Sequence, residues 1–125
     1  MSNLAQRLKE LNITLPVAGT PAAAYVMSAQ TGNTLFLSGH IAKQDGKPLV
    51  GKLGLNMTTE EGKAAARNIA IDLMATMQAH LGNLDRVKRI VKVMSLVNST
   101  DTYTEHHLVT NGCSELIGQV FGDKG

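Results

Sequence analysis

The sequence predicts an α+β domain, and three observations lead to that class. Residues 22–38 contain extended apolar runs, residues 58–81 follow a long helical pattern, and a Val- and Ile-rich run at Val87–Val97 precedes a last helical stretch. In this class the helices cover one face of a sheet. A chain of 125 residues can bury roughly two thirds of the surface that it exposes when unfolded. We therefore predict a single domain over residues 1–125.

A short amphipathic helix is predicted at the N-terminus, over about residues 2–12. Ser2 can cap its first turn, and leucines recur at helical spacing at Leu4, Leu8 and Leu11. The chain then meets residues that a helix does not tolerate: Pro16, Gly19 and Pro21. A loop is expected there.

The next two elements are predicted to form a β-hairpin. Ala22–Ala29 and Thr34–Ser38 are extended candidates, and the Thr31-Gly32-Asn33 segment between them favours a tight turn. The second strand is apolar until it ends abruptly in Ser38, Gly39 and His40. From the residues alone, this polar end has two interpretations: an ordinary strand terminus in which Ser caps a turn, or the floor of a binding site.

A loop and a long helix follow the hairpin. Residues 43–56 combine glycines and a proline with charged residues, which predicts turns and leaves room for a short strand at Leu49-Val50. Thr58 and Glu61 then have the spacing of a capping box, and Gly82 is a helix stop. Between them one apolar helical face comprises Ala66, Ile69, Ala70, Leu73, Met77 and Leu81.

The segment Val87–Val97 can be read at helical spacing, but its Val and Ile density after a Gly-Asn break favours a strand. A last helix is predicted to begin between Ser99 and Asn111 and to end near Phe121-Gly122. Nothing then returns the chain to the sheet, so the sheet is expected to be unfinished. Either a partner chain completes it, or the chain is a shortened version of a longer protein.

Composition excludes several function classes. Cys113 is the only cysteine, so an intrachain disulfide is impossible, and we expect a small buried hydrophobe there. No run approaches the ~20 apolar residues of a membrane span, so we expect a cytoplasmic protein without a membrane partner. A net charge of +2 and four aromatic residues (two Tyr, two Phe) disfavour nucleic-acid binding.

No cofactor or metal is predicted. The sequence has no phosphate loop, dinucleotide fingerprint or GxSxG serine motif. His106 and His107 are adjacent and diverge in a helix or a strand, so exposed side chains are expected rather than metal ligands. His80 is expected only to complement the dipole of the helix that ends beside it, and Met74 and Met77 to pack in the core.

The stretch AYVMSAQTGNTLFLSGHIA resembles the YjgF/RidA family of reactive-intermediate deaminases, also called the endoribonuclease L-PSP family. The resemblance rests on Tyr25, Gly32-Asn33, the apolar strand and Ser38-Gly39. It continues through the long Ala-rich helix, the Gly82-Asn83-Leu84 turn with its Asp-Arg-Val-Lys sequence, the strand ending at Asn98, and Asn111. The extra N-terminal helix and the EEGKAAARN helix are similar to one subgroup.

The resemblance implies a chorismate-mutase-like α+β fold that forms a homotrimer with ligand clefts between subunits. It also implies hydrolysis of enamine and imine intermediates of amino-acid metabolism to 2-keto acids and ammonia. Such sites use an arginine for the substrate carboxylate, a tyrosine and a serine at the strand end, a backbone N–H near the Ser-Gly turn, and a carboxylate that orients water. Position by position, Tyr25, Ser38, Gly39 and Asn111 match, and we add His40 as a substrate-binding candidate.

The chain departs from the family pattern twice. His40 stands where the family usually has Gln, which changes the hydrogen bonding and adds a group that titrates near neutral pH. The family's arginine and acidic residue, in strands after the last helix, have no counterpart before Gly125. We expect the native polypeptide to continue into these strands, since without the arginine the carboxylate clamp would be missing and such deamination should fail.

Three functions remain open at this point. The first is a trimeric imine or enamine deaminase, which needs only positioning and electrostatics because an imine carbon is already electrophilic. The second is a member of the same family that binds a small carboxylate-bearing metabolite without turnover. The third, ranked last, is the ribonuclease activity in the family's older name.

Overall fold

The structure is a computed structural model that describes residues 3–125. Its helices and strands are α1 (Asn3–Glu10), β1 (Ser28–Thr31), β2 (Thr34–Leu37), β3 (Lys43–Gln44), β4 (Lys47–Pro48), α2 (Thr59–Leu81) and α3 (His106–Phe121). The α+β class predicted from sequence is confirmed. Among these residues no helix is both long enough and apolar enough to cross a bilayer.

The described chain divides into two compact units. The first comprises residues 3–40 and 71–88, and the second comprises residues 41–70 and 89–125. Each unit contains one two-stranded antiparallel hairpin, β1–β2 in the first and β3–β4 in the second. Within residues 3–125 the hydrogen-bonded strands are confined to these hairpins.

The first unit buries one face of α1 together with part of α2. Leu4 and Leu8 of α1 are buried as their spacing predicts, and α1 contacts the short 3-10 helix at Leu84–Arg86. The buried side chains of α2 in this unit include Met74 and Met77, which confirms the predicted core packing. The proposed Ser2 cap lies outside the described residues.

The hairpin of the first unit confirms the predicted turn but corrects one strand boundary. Thr31 pairs with Thr34, so Gly32 and Asn33 form the turn, and the φ of Gly32 is 55°. The first strand begins at Ser28, however, and the prediction of a strand from Ala22 was wrong. A strand needs a partner along its length, and β2 ends at Leu37, opposite Ser28.

The hairpin of the second unit was missed from sequence. Its turn residues Asp45 and Gly46 both have positive φ, 53° and 77°, as a two-residue Asp-Gly turn requires. The strands lie at 43–44 and 47–48, so the suggested strand at Leu49-Val50 was placed too late. Leu49 only extends the hairpin, with its N–H donating to the Ala42 carbonyl at 2.9 Å.

The long helix begins with the predicted capping box. The Glu61 N–H donates to Thr58 Oγ1 at 3.2 Å, and Glu61 Oε1 accepts from the Thr58 N–H at 3.1 Å. These hydrogen bonds hold the pKa of Glu61 below its ordinary value. The helix ends before Gly82, whose φ of 81° is the left-handed conformation of a helix stop.

Helix α3 crosses the first half of α2 within the second unit at Gly112. A Cβ atom on Gly112 would lie 1.9 Å from the Lys63 carbonyl oxygen and 3.1 Å from the Arg67 amide nitrogen. A glycine is therefore required there by backbone packing. The buried face of α3 contains Val109, Cys113, Leu116, Ile117, Val120 and Phe121.

The predicted strand Val87–Val97 is not paired in the described chain. Residues 87–98 form no ladder, and the nearest bridge joins Leu53 to Ser99. The strand prediction was therefore wrong for this chain, since strand structure needs a partner that residues 3–125 do not supply. The Ile90 N–H instead donates to the Lys124 carbonyl at 2.7 Å.

Candidate functional site

The polar end of β2 is fixed by bonds to the chain that precedes β1. The Ser38 N–H donates to the Met27 carbonyl at 2.9 Å, and the Ser38 hydroxyl donates to the Val26 carbonyl at 2.5 Å. A carbonyl oxygen can only accept, so the hydroxyl proton of Ser38 is committed to Val26. The lone pairs of the Ser38 oxygen remain able to accept a proton from a ligand or a water.

Gly39 is exposed and lies directly after Ser38. A Cβ atom built on it would have no heavy atom within 4 Å, and its φ lies outside the left-handed region. Within residues 3–125 its N–H has no hydrogen-bond acceptor. A backbone N–H in that condition is a donor ready for an anionic group.

His40 joins this turn to α2. Its Nδ1 lies 2.7 Å from the Ser38 carbonyl oxygen, and its Nε2 lies 2.8 Å from Thr76 Oγ1. Because the carbonyl can only accept, Nδ1 carries a proton. The Thr76 hydroxyl can accept from Nε2 or donate to it, and the Asp72 carbonyl, 3.2 Å from Thr76 Oγ1, serves as its other acceptor.

The other two predicted site residues lie apart in sequence and have different surroundings. Tyr25 precedes β1 and is 43% exposed, and its hydroxyl accepts from the Ala22 N–H at 3.2 Å. Asn111 is half-buried on α3 in the second unit, one residue before the helix crossing at Gly112. The structure therefore links Ser38, Gly39 and His40 directly, and the roles of Tyr25 and Asn111 stay predictions.

Two polar contacts were missed from sequence. Thr76 is 3% exposed, and the signal that could have identified it is a lone hydroxyl within the apolar run of α2. His80 does more than complement a helix dipole, because its Nδ1 lies 3.0 Å from Ser28 Oγ and its Nε2 lies 2.9 Å from Gln30 Oε1. That pair of contacts ties β1 to the end of α2.

Two surface clefts lie away from the predicted site residues. One, of about 280 Å³, is lined in the second unit by Lys63, Arg67, Glu115 and Gln119, and Lys63 pairs with Glu115 at 3.2 Å. The other, of about 600 Å³, is lined in the first unit by Leu8, Ile13, Leu15 and Gln78. Neither cleft includes Ser38, Gly39 or His40.

The described residues offer no alternative nucleophile or metal centre at this turn. Cys113 is buried, as predicted, and burial raises the pKa of its thiol, which disfavours the reactive thiolate. No three metal-binding side chains converge within residues 3–125. His106 and His107 are exposed, as predicted, and His106 Nε2 lies 2.8 Å from Ser99 Oγ.

Solved structures of known proteins share this fold. A crystal structure from Shewanella oneidensis MR-1, described as "a putative endoribonuclease", has a TM-score of 0.93 and 28% identity, covering 98% of this chain and 82% of that one. The protein Atu1372 from Agrobacterium tumefaciens, of unknown function, has a TM-score of 0.88 and 37% identity, with 98% and 76% covered.

Sequence comparison leads to the same family. Protein TCP17 of Trypanosoma cruzi is 46% identical over 122 residues, which are 97% of this chain and 76% of that protein. The family model described as "YjgF/chorismate_mutase-like, putative endoribonuclease" matches residues 5–125. That match spans nearly the whole sequence and confirms the resemblance inferred from the hairpin and the Ser-Gly turn. The chain belongs to the YjgF/chorismate-mutase-like family.

Proposed function

We propose that this protein is a deaminase that hydrolyses reactive enamine and imine intermediates of amino-acid metabolism to 2-keto acids and ammonia. The observation that carries the proposal is the turn after β2, where the N–H of the exposed Gly39 has no hydrogen-bond acceptor in the described chain, next to a Ser38 oxygen whose proton is already donated. A donor for an anion and an acceptor for a protonated nitrogen or a water thus stand on consecutive residues.

The reaction fits these groups because it needs no protein nucleophile. Water adds to the imine carbon, the carbon–nitrogen bond then breaks, and the nitrogen leaves as ammonia while the carbon becomes a keto group. The Gly39 N–H would hold the substrate carboxylate, and Ser38 Oγ would accept from the iminium nitrogen or from the attacking water. Ser38 would not itself attack, since its proton faces a carbonyl rather than a base.

A homotrimer with clefts between subunits is part of the proposal. Large apolar side chains of the unpaired segment are exposed: Val91 at 83%, Met94 at 75% and Leu96 at 88%. Apolar side chains on an unpaired segment favour an interface with another chain. Asn111 and Tyr25 would then contribute to the clefts. Light scattering should give about three times the chain mass of 13.3 kDa, and a monomer at micromolar concentration would count against the trimer.

The interface can be tested by substitution within the same segment. Leu96→Asp should lower the measured mass, because a charge replaces an exposed apolar side chain at the proposed contact. Val17→Asp is the matched control, since Val17 is 95% exposed in the loop after α1. Equal effects of the two substitutions would contradict the assignment of this segment to the interface.

The deaminase activity is tested by ammonia release from an imino acid generated in situ by an amino-acid oxidase. We expect a rate above the uncatalysed hydrolysis from the polypeptide that carries the family's arginine, and a large loss of that rate in Ser38→Ala. Thr20→Ala removes an exposed hydroxyl that has no hydrogen bond in the described part of the chain, so it should leave the rate unchanged. A rate equal to that of buffer alone would exclude the activity.

Two other functions would give different results in the same experiments. Binding of a small carboxylate-bearing metabolite without turnover would appear as saturable binding of a keto acid with no added ammonia release. Ribonuclease activity, favoured by the description of the family and of the Shewanella protein, would appear as cleavage of single-stranded RNA. We also propose that the protein acts in the cytoplasm, where such intermediates arise.

A further inference from the structure

The hydroxyl of Thr76 is buried, and His40 supplies a hydrogen-bond partner for it. The Thr76 side chain is 3% exposed, in a stretch of α2 where Met74, Ala75 and Met77 are buried too. A buried hydroxyl costs free energy unless it is hydrogen-bonded. The Asp72 carbonyl is one partner at 3.2 Å, but this is a long contact to a group within the same helix. His40 Nε2, at 2.8 Å, is the closer partner and the only one of the two from outside α2.

His40 connects Thr76 of α2 to the turn after β2. One ring nitrogen contacts Thr76, and the opposite side of the ring, through Nδ1, donates to the Ser38 carbonyl at 2.7 Å. The Ser38 carbonyl and the Gly39 N–H belong to one peptide unit, and in a trans peptide these groups point in opposite directions. Holding the Ser38 carbonyl toward His40 therefore directs the Gly39 N–H away from it, and within residues 3–125 that N–H has no hydrogen-bond acceptor.

We propose that His40 and Thr76 are positioning residues that set the orientation of the Ser38–Gly39 peptide and thereby aim the Gly39 N–H at an anionic substrate. This inference rests on the proposed function for the identity of the ligand. This role requires neither residue to touch the substrate: His40 acts through the Ser38 carbonyl, and Thr76 acts through His40.

The linkage does not depend on which form of the imidazole is present. In the neutral ring, Nδ1 donates to the Ser38 carbonyl and Nε2 accepts from the Thr76 hydroxyl. In the charged ring, Nε2 donates to Thr76, and the Thr76 hydroxyl donates to the Asp72 carbonyl. Both arrangements satisfy every group, so the peptide should keep the same orientation with either form of the imidazole.

Two amide substitutions separate the halves of the linkage. The side-chain nitrogen of His40→Asn lies as many bonds from the backbone as Nδ1, so it can still donate to the Ser38 carbonyl. The nitrogen of His40→Gln matches Nε2 instead and can reach Thr76 without holding that carbonyl. Thr76→Val preserves shape and removes the hydroxyl, and His40→Phe removes both contacts.

The ligand-free test is nuclear magnetic resonance of the ¹⁵N-labelled full chain. We expect a protonated Nδ1 in wild type, and a changed chemical shift of the Gly39 amide in His40→Phe and Thr76→Val. His40→Asn keeps the carbonyl contact and loses the Thr76 contact, so its Gly39 signal should match that of Thr76→Val and lie nearer to wild type than that of His40→Gln. The control His107→Asn alters an exposed histidine and should leave Gly39 unchanged.

A further control tests whether a general loss of stability would also change the Gly39 amide signal. Thr58→Ala weakens the N-terminus of α2, which is in the other unit, without touching the turn. If Thr58→Ala moved the Gly39 amide as much as Thr76→Val does, or if His40→Phe left it unmoved, the proposal would be overturned.

The ligand arm uses pyruvate as a probe of a 2-keto carboxylate. His40→Phe should weaken pyruvate binding about tenfold, which corresponds to the loss of one well-aligned hydrogen bond of about 1.4 kcal/mol. His40→Asn should weaken pyruvate binding less than His40→Phe does, and about as much as Thr76→Val does. If wild type bound no pyruvate, the proposed function would fail, while the ligand-free Gly39 signals would still decide the positioning role.

Discussion

Two glycines, one in each unit, have opposite surroundings: one is tightly packed against backbone and the other is open. Gly112 lies where a Cβ atom would approach the Lys63 carbonyl oxygen to 1.9 Å, so the crossing of α3 over α2 excludes any side chain. Gly39 lies where a Cβ atom would meet nothing within 4 Å. The first glycine serves packing, whereas the second leaves a backbone donor accessible.

This difference separates residues that maintain the fold from residues that are available to function. Any side chain added at Gly112 would have to displace backbone, because the atoms that its Cβ would meet are main-chain atoms. At Gly39 nothing in the described chain must move. Stability and ligand binding should therefore respond in opposite ways at the two positions.

The largest expected effect is at the helix crossing. Gly112→Ala should lower the free energy of unfolding by about 3 kcal/mol or more, because the added methyl group forces α3 away from the α2 backbone. Gly118→Ala is the matched control in the same helix, since a Cβ there meets nothing within 4 Å. It should instead stabilise the protein by about 1 kcal/mol through helix propensity. Chemical denaturation measures both.

If Gly112→Ala proved as stable as wild type, the close approach of α3 to Lys63 would be contradicted. Because a Cβ atom at Gly112 would meet main-chain atoms of the same unit, helix packing within that unit is enough to explain why this residue is a glycine.

The capping box of α2 sharpens the comparison, because it stabilises the same unit as Gly112 through exposed polar contacts. Thr58→Ala should cost about 1 kcal/mol, the usual value for losing a helix cap. The Glu61 N–H would lose the Thr58 oxygen that it contacts at 3.2 Å. Thermal melts compared with the control Thr20→Ala, an exposed threonine outside the helices, would measure the difference.

The pH dependence of this cap follows from the lowered pKa of Glu61. The Thr58 backbone N–H is the larger cause and the Thr58 hydroxyl the second, and both favour the carboxylate in the folded state. Its stabilising contribution is therefore complete above the ordinary value of 4.5 and is lost as the pH falls through the lower folded value. The stability difference between wild type and Glu61→Ala should shrink below that pH. A constant difference between pH 7 and pH 3 would contradict this, and Glu60→Ala controls for the loss of a charge in the same turn.

Local patterns predicted those parts of the fold that depend on near neighbours. The Thr58–Glu61 cap and the Gly82 stop bounded α2 correctly. Of the predicted apolar face, Ala66, Ala70 and Met77 are buried, whereas Ile69, Leu73 and Leu81 are only partly buried. The Val87–Val97 strand failed because pairing is a property of the partner, which no local pattern contains. The Asp45-Gly46 pair is enough to predict a hairpin turn, but the charged residues around it led to the prediction of a loop.

The candidate site was predicted only in part for the same physical reason. The abrupt change from apolar residues to Ser38-Gly39-His40 is visible in sequence, but the contact of His40 with Thr76 spans 36 positions. No spacing rule joins a strand end to the middle of a later helix. Thr76 can be recognised as a hydrogen-bond partner for another element only once its side chain is known to be buried.

The smallest expected effect on stability is at Gly39, where the effect on binding should be clear. Gly39→Ala adds a methyl group in open space at a φ that alanine tolerates, so the free energy of unfolding should change by no more than about 0.5 kcal/mol, with any change favouring the folded state. The same methyl group would occupy the space beside the Gly39 N–H, where the proposed substrate carboxylate must approach. Pyruvate binding should therefore fall about tenfold or more, equivalent to about 1.4 kcal/mol, while Gly118→Ala binds as wild type does. If Gly39→Ala left binding intact, the open side of Gly39 would not be the substrate side, and the assignment of this turn as the site would be wrong even though its geometry is unchanged.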